Sequence, residues 1–105
     1  MRLTSYLQDG TLTVALTGEI DHHCAKDFIS AISAKIEAYT PKACVLDFRE
    51  VTFMDSSGIA VTINALRSVR QIGGDLEVCG LRQQPFKVFK ASGIDKLIHM
   101  KELIG

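Results

Sequence analysis

The chain reads as an α/β fold, a mixed but mainly parallel sheet of four to five strands with an N-terminal hairpin and about four helices. Three observations predict it. An Asp9-Gly10 turn pair separates two strand-like segments at the start. Short apolar runs then alternate with stretches whose apolar residues recur every three or four positions. Glycine and proline stand at the junctions between them. Strands linked by crossover helices run parallel with right-handed connections, so the part after the hairpin is the parallel part.

Leu3 to Leu7 and Thr11 to Thr17 are the hairpin strands, the second alternating through Leu12, Val14 and Leu16. From His23 to about Tyr39, Ala25, Phe28, Ile29, Ile32 and Ile36 give the stripe of an amphipathic helix, stopped by Pro41. Cys44-Val45-Leu46 is a continuous apolar run, expected to be a strand covered on both faces. A second apolar stretch, Val51 to Met54, follows. Asp55-Ser56-Ser57-Gly58 then opens a helix to about Gln71, with Ile59, Ile63, Leu66 and Val69 as its stripe and Gly73-Gly74 as its left-handed stop. Leu76 to Cys79 is a further buried strand. Gln84-Pro85 puts proline in the first turn of a helix from Phe86 to about Ala91, where its missing amide donor costs nothing, and Ser92-Gly93 ends it. A last strand is expected through Leu97-Ile98, with a short tail from Lys101 to Ile104.

The 105 residues suit one domain, 1–105, and 47% apolar with 23% charged residues is the balance of an ordinary globular chain. Twelve basic and twelve acidic side chains cancel, which removes the electrostatic footprint expected of a nucleic-acid or anionic-membrane partner. No apolar run approaches the roughly 20 residues of a membrane span, so a cytoplasmic protein is expected. Cys24, Cys44 and Cys79 make neither an even disulfide set nor a C-x-x-C pair. Cys44 and Cys79 lie in apolar runs, where a thiol behaves as a small hydrophobe.

Two clusters stand at strand-to-helix junctions. In Asp55-Ser56-Ser57-Gly58, hydroxyls meet a helix N-terminus, where Asp55 accepts first-turn amides and Gly58 removes a side chain that would hinder another molecule's approach. Plain helix capping explains the same residues. A phosphoryl group on serine there would meet free amides and the positive end of the helix dipole, so modification need not melt the fold. In Gly18-Glu19-Ile20-Asp21-His22-His23-Cys24, Asp21 is most simply the N-cap of the first helix, and strand ends that gather at one sheet edge bring it toward Ser56. Neighbouring histidines diverge on a helix, and His23 with Asp27 offers two ligands at most, so no metal is expected. A serine hydrolase would need the Gly-x-Ser-x-Gly elbow, but Met54 and Asp55 stand at its first two positions. Neither phosphate-binding glycine loop is present, and no cofactor is expected.

Taken together, Gly18-Glu19-Ile20-Asp21-His22-His23, Val45-Leu46-Asp47, Phe53-Met54-Asp55-Ser56-Ser57-Gly58-Ile59, Gln71-Ile72-Gly73-Gly74 and Phe89-Lys90-Ala91-Ser92-Gly93-Ile94 follow one family's order and spacing. The chain resembles the STAS-domain anti-sigma factor antagonists over essentially its whole length. Its Asp-His-His run is closest to the sporulation subgroup that acts on the anti-sigma F factor. The resemblance implies a regulatory binding protein and not an enzyme. Its unphosphorylated form would bind an anti-sigma factor serine kinase, ATP- or ADP-bound, and so release a sigma factor. Phosphorylation at Ser56 would switch it off, and a PP2C-type phosphatase would restore it. Asp21, Asp55, Ser57 and Gly58 would then form the surroundings of the phosphoserine and the partner contact. Cys24 departs from the family, which more often has a small polar residue there. A STAS module of another partner-switching or stressosome-like system, or of a lipid-transport system, is the alternative.

Overall fold

The computed structural model describes residues 2–103. Ile104, the expected end of the tail, lies outside them. The elements run β1 (Arg2–Gln8), β2 (Thr11–Ile20), α1 (Ala25–Tyr39), β3 (Ala43–Met54), α2 (Ser56–Gln71), β4 (Asp75–Leu81), α3 (Gln83–Ser92), a 3-10 turn (Ile94–Lys96) and β5 (His99–Glu102). The five strands form one sheet in chain order, with β1 antiparallel to β2 and every later pair parallel. Of the expected helices, three are α-helical and the short 3-10 turn is the fourth helical segment. Asp9 and Gly10 both take positive φ, 53° and 81°, which matches the twist of the two strands they join.

Because strand order equals chain order, right-handed crossovers place successive helices on the same face of the sheet. The core lies between that face and the helices: Leu12, Val14, Leu16, Cys44, Leu46, Phe48 and Val78 are all fully buried, with Phe28, Ile32, Val61, Val69 and Phe89 above them. Phe48 and Phe89 stack edge to face at a centroid separation of 5.4 Å, which ties α3 to β3. One expectation changes as a result. Val45 and Cys79 point to the opposite face and are only half-buried, so β3 and β4 are covered on one side, not on both.

Element boundaries and one helix face also differ from expectation. Val51 to Met54 is no separate stretch but the end of a 12-residue β3, held by parallel pairing that continues to Ile20 opposite Met54. The last strand begins at His99 and not at Leu97. The Leu97 and Ile98 amides both donate back to the Ile94 carbonyl (2.8 and 3.2 Å), which keeps those residues in the turn. On α2 the buried face is Gly58, Val61, Thr62, Ala65, Leu66 and Val69, so Ile59 and Ile63 are rotated to its margin. α2 packs on α1 as well as on β3 and β4, and that docking sets which of its residues are buried. At the far end, Gly73 at φ 84° turns the chain and the Gly74 amide donates to Val69 O at 2.9 Å.

Candidate functional site

The two sequence clusters meet where β2 and β3 end. Ile20 pairs with Met54 in parallel register, and the Asp55 amide donates to Ile20 O at 3.2 Å. Asp21 and Asp55 are therefore the residues immediately beyond the last rung of two neighbouring strands. Asp55 is the N-cap of α2, its Oδ1 accepting the Ser57 amide at 2.8 Å from an extended backbone. Ser56, the first helical residue, is exposed, whereas Ser57 is half-buried. Of the two hydroxyl-bearing residues, the first is the one open to another molecule.

Asp21 does not cap α1 directly. Its Oδ1 accepts the amides of His23 (3.0 Å) and Cys24 (3.3 Å), so it caps a turn over 22–24, and α1 starts at Ala25 rather than His23. Cys24 stands at the helix cap with no side-chain cap bond, and its thiol donates to Glu19 O at 3.3 Å. Partial desolvation pushes the Asp21 carboxyl up, but those two amides, the Cys24 thiol and the nearby His23 outweigh it and hold it below the ordinary carboxylate value. It is an anion at neutral pH. His22 and His23 are exposed with ring centroids 3.9 Å apart. Among the described residues, no three His, Cys, Asp or Glu side chains cluster to hold a metal ion. No described helix is long and apolar enough to cross a membrane.

The remaining neighbours divide between core and surface. Ile20 and Met54, which flank the two carboxylates in the chain, are both fully buried. Gly58 is buried as well. A Cβ there would lie 2.6 Å from Met54 Cε, so the absent side chain makes room for Met54 inside the chain. The large apolar side chain that does face outward is Phe53, 42% exposed and one residue before Met54. Its place in an apolar run hid it, and only the strand alternation about Met54 would have revealed it. The sequence reading also missed Gln84. Its Oε1 accepts the Met54 amide at 2.9 Å and its Nε2 donates to Met54 O at 2.8 Å. His99, the histidine outside the His22-His23 pair, opens β5 level with Glu77 and, through it, Val45. Nine residues of β3, roughly 30 Å of strand, separate that level from Met54.

The chain from residue 2 to 104 matches the family model for the STAS domain. It is 30% identical over 89 residues to the anti-sigma F factor antagonist of Paenibacillus polymyxa, which covers 85% of this chain and 76% of that one. It is also 30% identical over 97 residues to the anti-sigma-B factor antagonist of Listeria monocytogenes serovar 1/2a, covering 90% and 82%. Its fold superposes on the anti-sigma factor antagonist SpoIIAA in its unphosphorylated form with TM-score 0.80, at 24% identity over 94% of this chain and 87% of that one. The Bacillus cell fate determinant SpoIIAA in its phosphorylated form gives TM-score 0.71 at 24% identity, covering 94% and 90%.

Proposed function

The chain belongs to the STAS domain family, and on that premise we propose that it is an anti-sigma factor antagonist working by partner switching. Unphosphorylated, it binds an anti-sigma factor serine kinase in its ATP- or ADP-bound state and frees the sigma factor that the kinase had held. The kinase then transfers a phosphoryl group to Ser56. The Ser56 Oγ bonds to the γ-phosphorus of ATP, the bond from that phosphorus to the β–γ bridging oxygen breaks, ADP leaves, and the hydroxyl proton passes to a base on the kinase. A PP2C-type phosphatase hydrolyses the phosphoserine and restores the binding form. The exchange takes place in the cytoplasm, and its output is sigma-dependent sporulation transcription.

The observation that carries this reading is the position of Ser56. It is exposed at the first residue of α2, where β2 and β3 end in the carboxylates Asp21 and Asp55. A phosphate adds about 1.5 to 2 negative charges at neutral pH, beside two existing ones. On a chain whose formal net charge is zero, that change sets the sign of the whole molecule. Exposed Phe53 supplies an apolar anchor next to the charge, the combination from which binding hot spots are built. A loss of about 3 kcal/mol at such a surface lowers affinity roughly 100-fold, sufficient to exchange partners.

Incubation with the cognate kinase and ATP, followed by mass spectrometry, is expected to place phosphate on Ser56. Phosphate confined to Ser57, or none, refutes the assignment. Ser56→Ala retains kinase binding and resists phosphorylation, whereas Ser56→Asp binds more weakly; equal affinities would contradict the electrostatic switch. A general-stress role is the second reading, favoured by the equal 30% identity to the Listeria anti-sigma-B factor antagonist. The Asp21-His22-His23 run weighs for sporulation. The kinase that co-purifies from the source cell decides between them.

A further inference from the structure

The geometry points to Gln84 as the positioning residue of the phosphoacceptor, a role that rests on the proposed reading of Ser56. β3 outruns its neighbour on one side. It pairs with β2 as far as Met54, but its pairing with β4 stops at Asp47 opposite Cys79. Beyond that rung Gly80 takes a φ of 72°, which residues with a side chain rarely adopt, and the ladder between β3 and β4 goes no further although Gly80 still packs against Arg49. In a parallel strand the amide and carbonyl of one residue point to the same side, and those of the next residue to the other. The Asp55 amide points to β2 and is satisfied by Ile20 O. The amide and carbonyl of Met54 therefore face the side on which the ladder to β4 has ended.

Gln84 fills that place. Its carboxamide carries one acceptor and one donor in a plane, the same pair that a strand residue would present. Oε1 takes the Met54 amide at 2.9 Å and Nε2 reaches Met54 O at 2.8 Å, across 30 residues of sequence. The side chain is only partly buried, so the two bonds and not packing define its position. A second tie holds the same helix end: Arg82 Nε donates to Arg49 O at 2.8 Å, at the other end of the unpaired stretch of β3. Below the clamp, Phe89 on Phe48 anchors α3 to the core. Met54 is followed directly by Asp55 and Ser56. Fixing its peptide groups fixes where the backbone of Ser56 stands, and a displacement of about 1 Å in a reacting group costs on the order of 100-fold in rate. Two side-chain bonds thus make the N-terminus of α3 part of the support of the phosphoacceptor.

The test uses the full chain and the variants Gln84→Leu, which removes both bonds, and Gln84→Glu, which keeps an acceptor for the Met54 amide but places an anion against Met54 O. The first measurement is amide hydrogen exchange by NMR, which needs no partner. Exchange of the Met54 amide is expected to accelerate about tenfold in Gln84→Leu, the worth of one ordinary hydrogen bond, while the amides of Leu12 and Val14 stay as in the wild type. The second is phosphoryl transfer from ATP by the anti-sigma serine kinase. The kcat is expected to fall in the order wild type, Gln84→Glu, Gln84→Leu, by about tenfold in the last. KM for the chain should stay within about twofold, because the exposed contact surface is unchanged. Unchanged exchange at Met54 in a folded Gln84→Leu variant overturns the clamp. Unchanged kcat, or a loss confined to KM, overturns the positioning role. A wild-type chain that takes no phosphate on Ser56 overturns the reading of the site, and the exchange series then decides the clamp by itself.

Discussion

Asp55 does two jobs in the proposed switch, and a pair of substitutions separates them. Its Oδ1 accepts the Ser57 amide at 2.8 Å, in a partly buried bond at the start of α2. Asp55→Ala deletes that acceptor, and loss of an N-cap costs about 0.5–2 kcal/mol, typically near 1. The whole loss reaches global stability, because α2 packs its Val61, Ala65 and Val69 face into the core and does not fray independently. In a domain of about 100 residues, about 1 kcal/mol lowers Tm by roughly 4–8 °C. Asp55→Asn keeps the acceptor, and asparagine caps as well as aspartate, so only the charge–dipole contribution of about 0.3–1 kcal/mol is lost. Far-ultraviolet circular dichroism during heating, with urea titration to confirm an unchanged m value, should give the order wild type, Asp55→Asn, Asp55→Ala. Both variants lack the carboxylate beside Ser56, so any electrostatic effect on kinase binding should be shared by the two. Equal melting of Asp55→Ala and wild type, or a lower Tm for Asp55→Asn than for Asp55→Ala, would refute the capping argument.

Three other outcomes are expected. Gly74→Ala places a Cβ 2.8 Å from the Lys42 carbonyl oxygen and 2.8 Å from Val69 Cγ2, and should lower urea-derived stability by about 1–3 kcal/mol; a neutral substitution would mean that the β3 entry yields freely. Phe53→Ala should weaken binding to the anti-sigma kinase by more than about tenfold in calorimetry, and unchanged affinity would remove Phe53 from the contact surface. Asp95 is held below the ordinary carboxylate value first by its hydrogen bond from Lys90 Nζ, 3.0 Å away, against partial desolvation. A lowered folded-state pKa adds stability that is present above the unfolded value and is lost as pH falls through the folded one. Asp95→Asn should therefore lower stability at pH 7 and flatten the decline below about pH 4, and parallel stability–pH curves would contradict it.

The order of elements was legible because each boundary is a local event. Asp9-Gly10 turns the chain, Asp55 caps α2, Gly73 stops it and Pro85 sits inside the first turn of α3, each through backbone chemistry within a few residues. Ser56 was legible for the same reason, as a hydroxyl at a capped helix start. What failed depended on partners distant in sequence. The stripe assigned to α2 holds at Leu66 and Val69, but the docked face turns toward Val61, Thr62 and Ala65 and leaves Ile59 and Ile63 at its edge.

By itself, then, the sequence determined the α/β alternation, the capped serine and the carboxylates near it in the chain, since these follow from backbone preferences and short-range hydrogen bonds. The tertiary structure decided that β2 and β3 pair through to Ile20 and Met54, which makes Asp21 and Asp55 the ends of adjacent strands, and that Gln84 completes the unpaired edge of β3. Strand register and helix docking set those relations, and both arise from contacts among residues tens of positions apart, which no local pattern encodes.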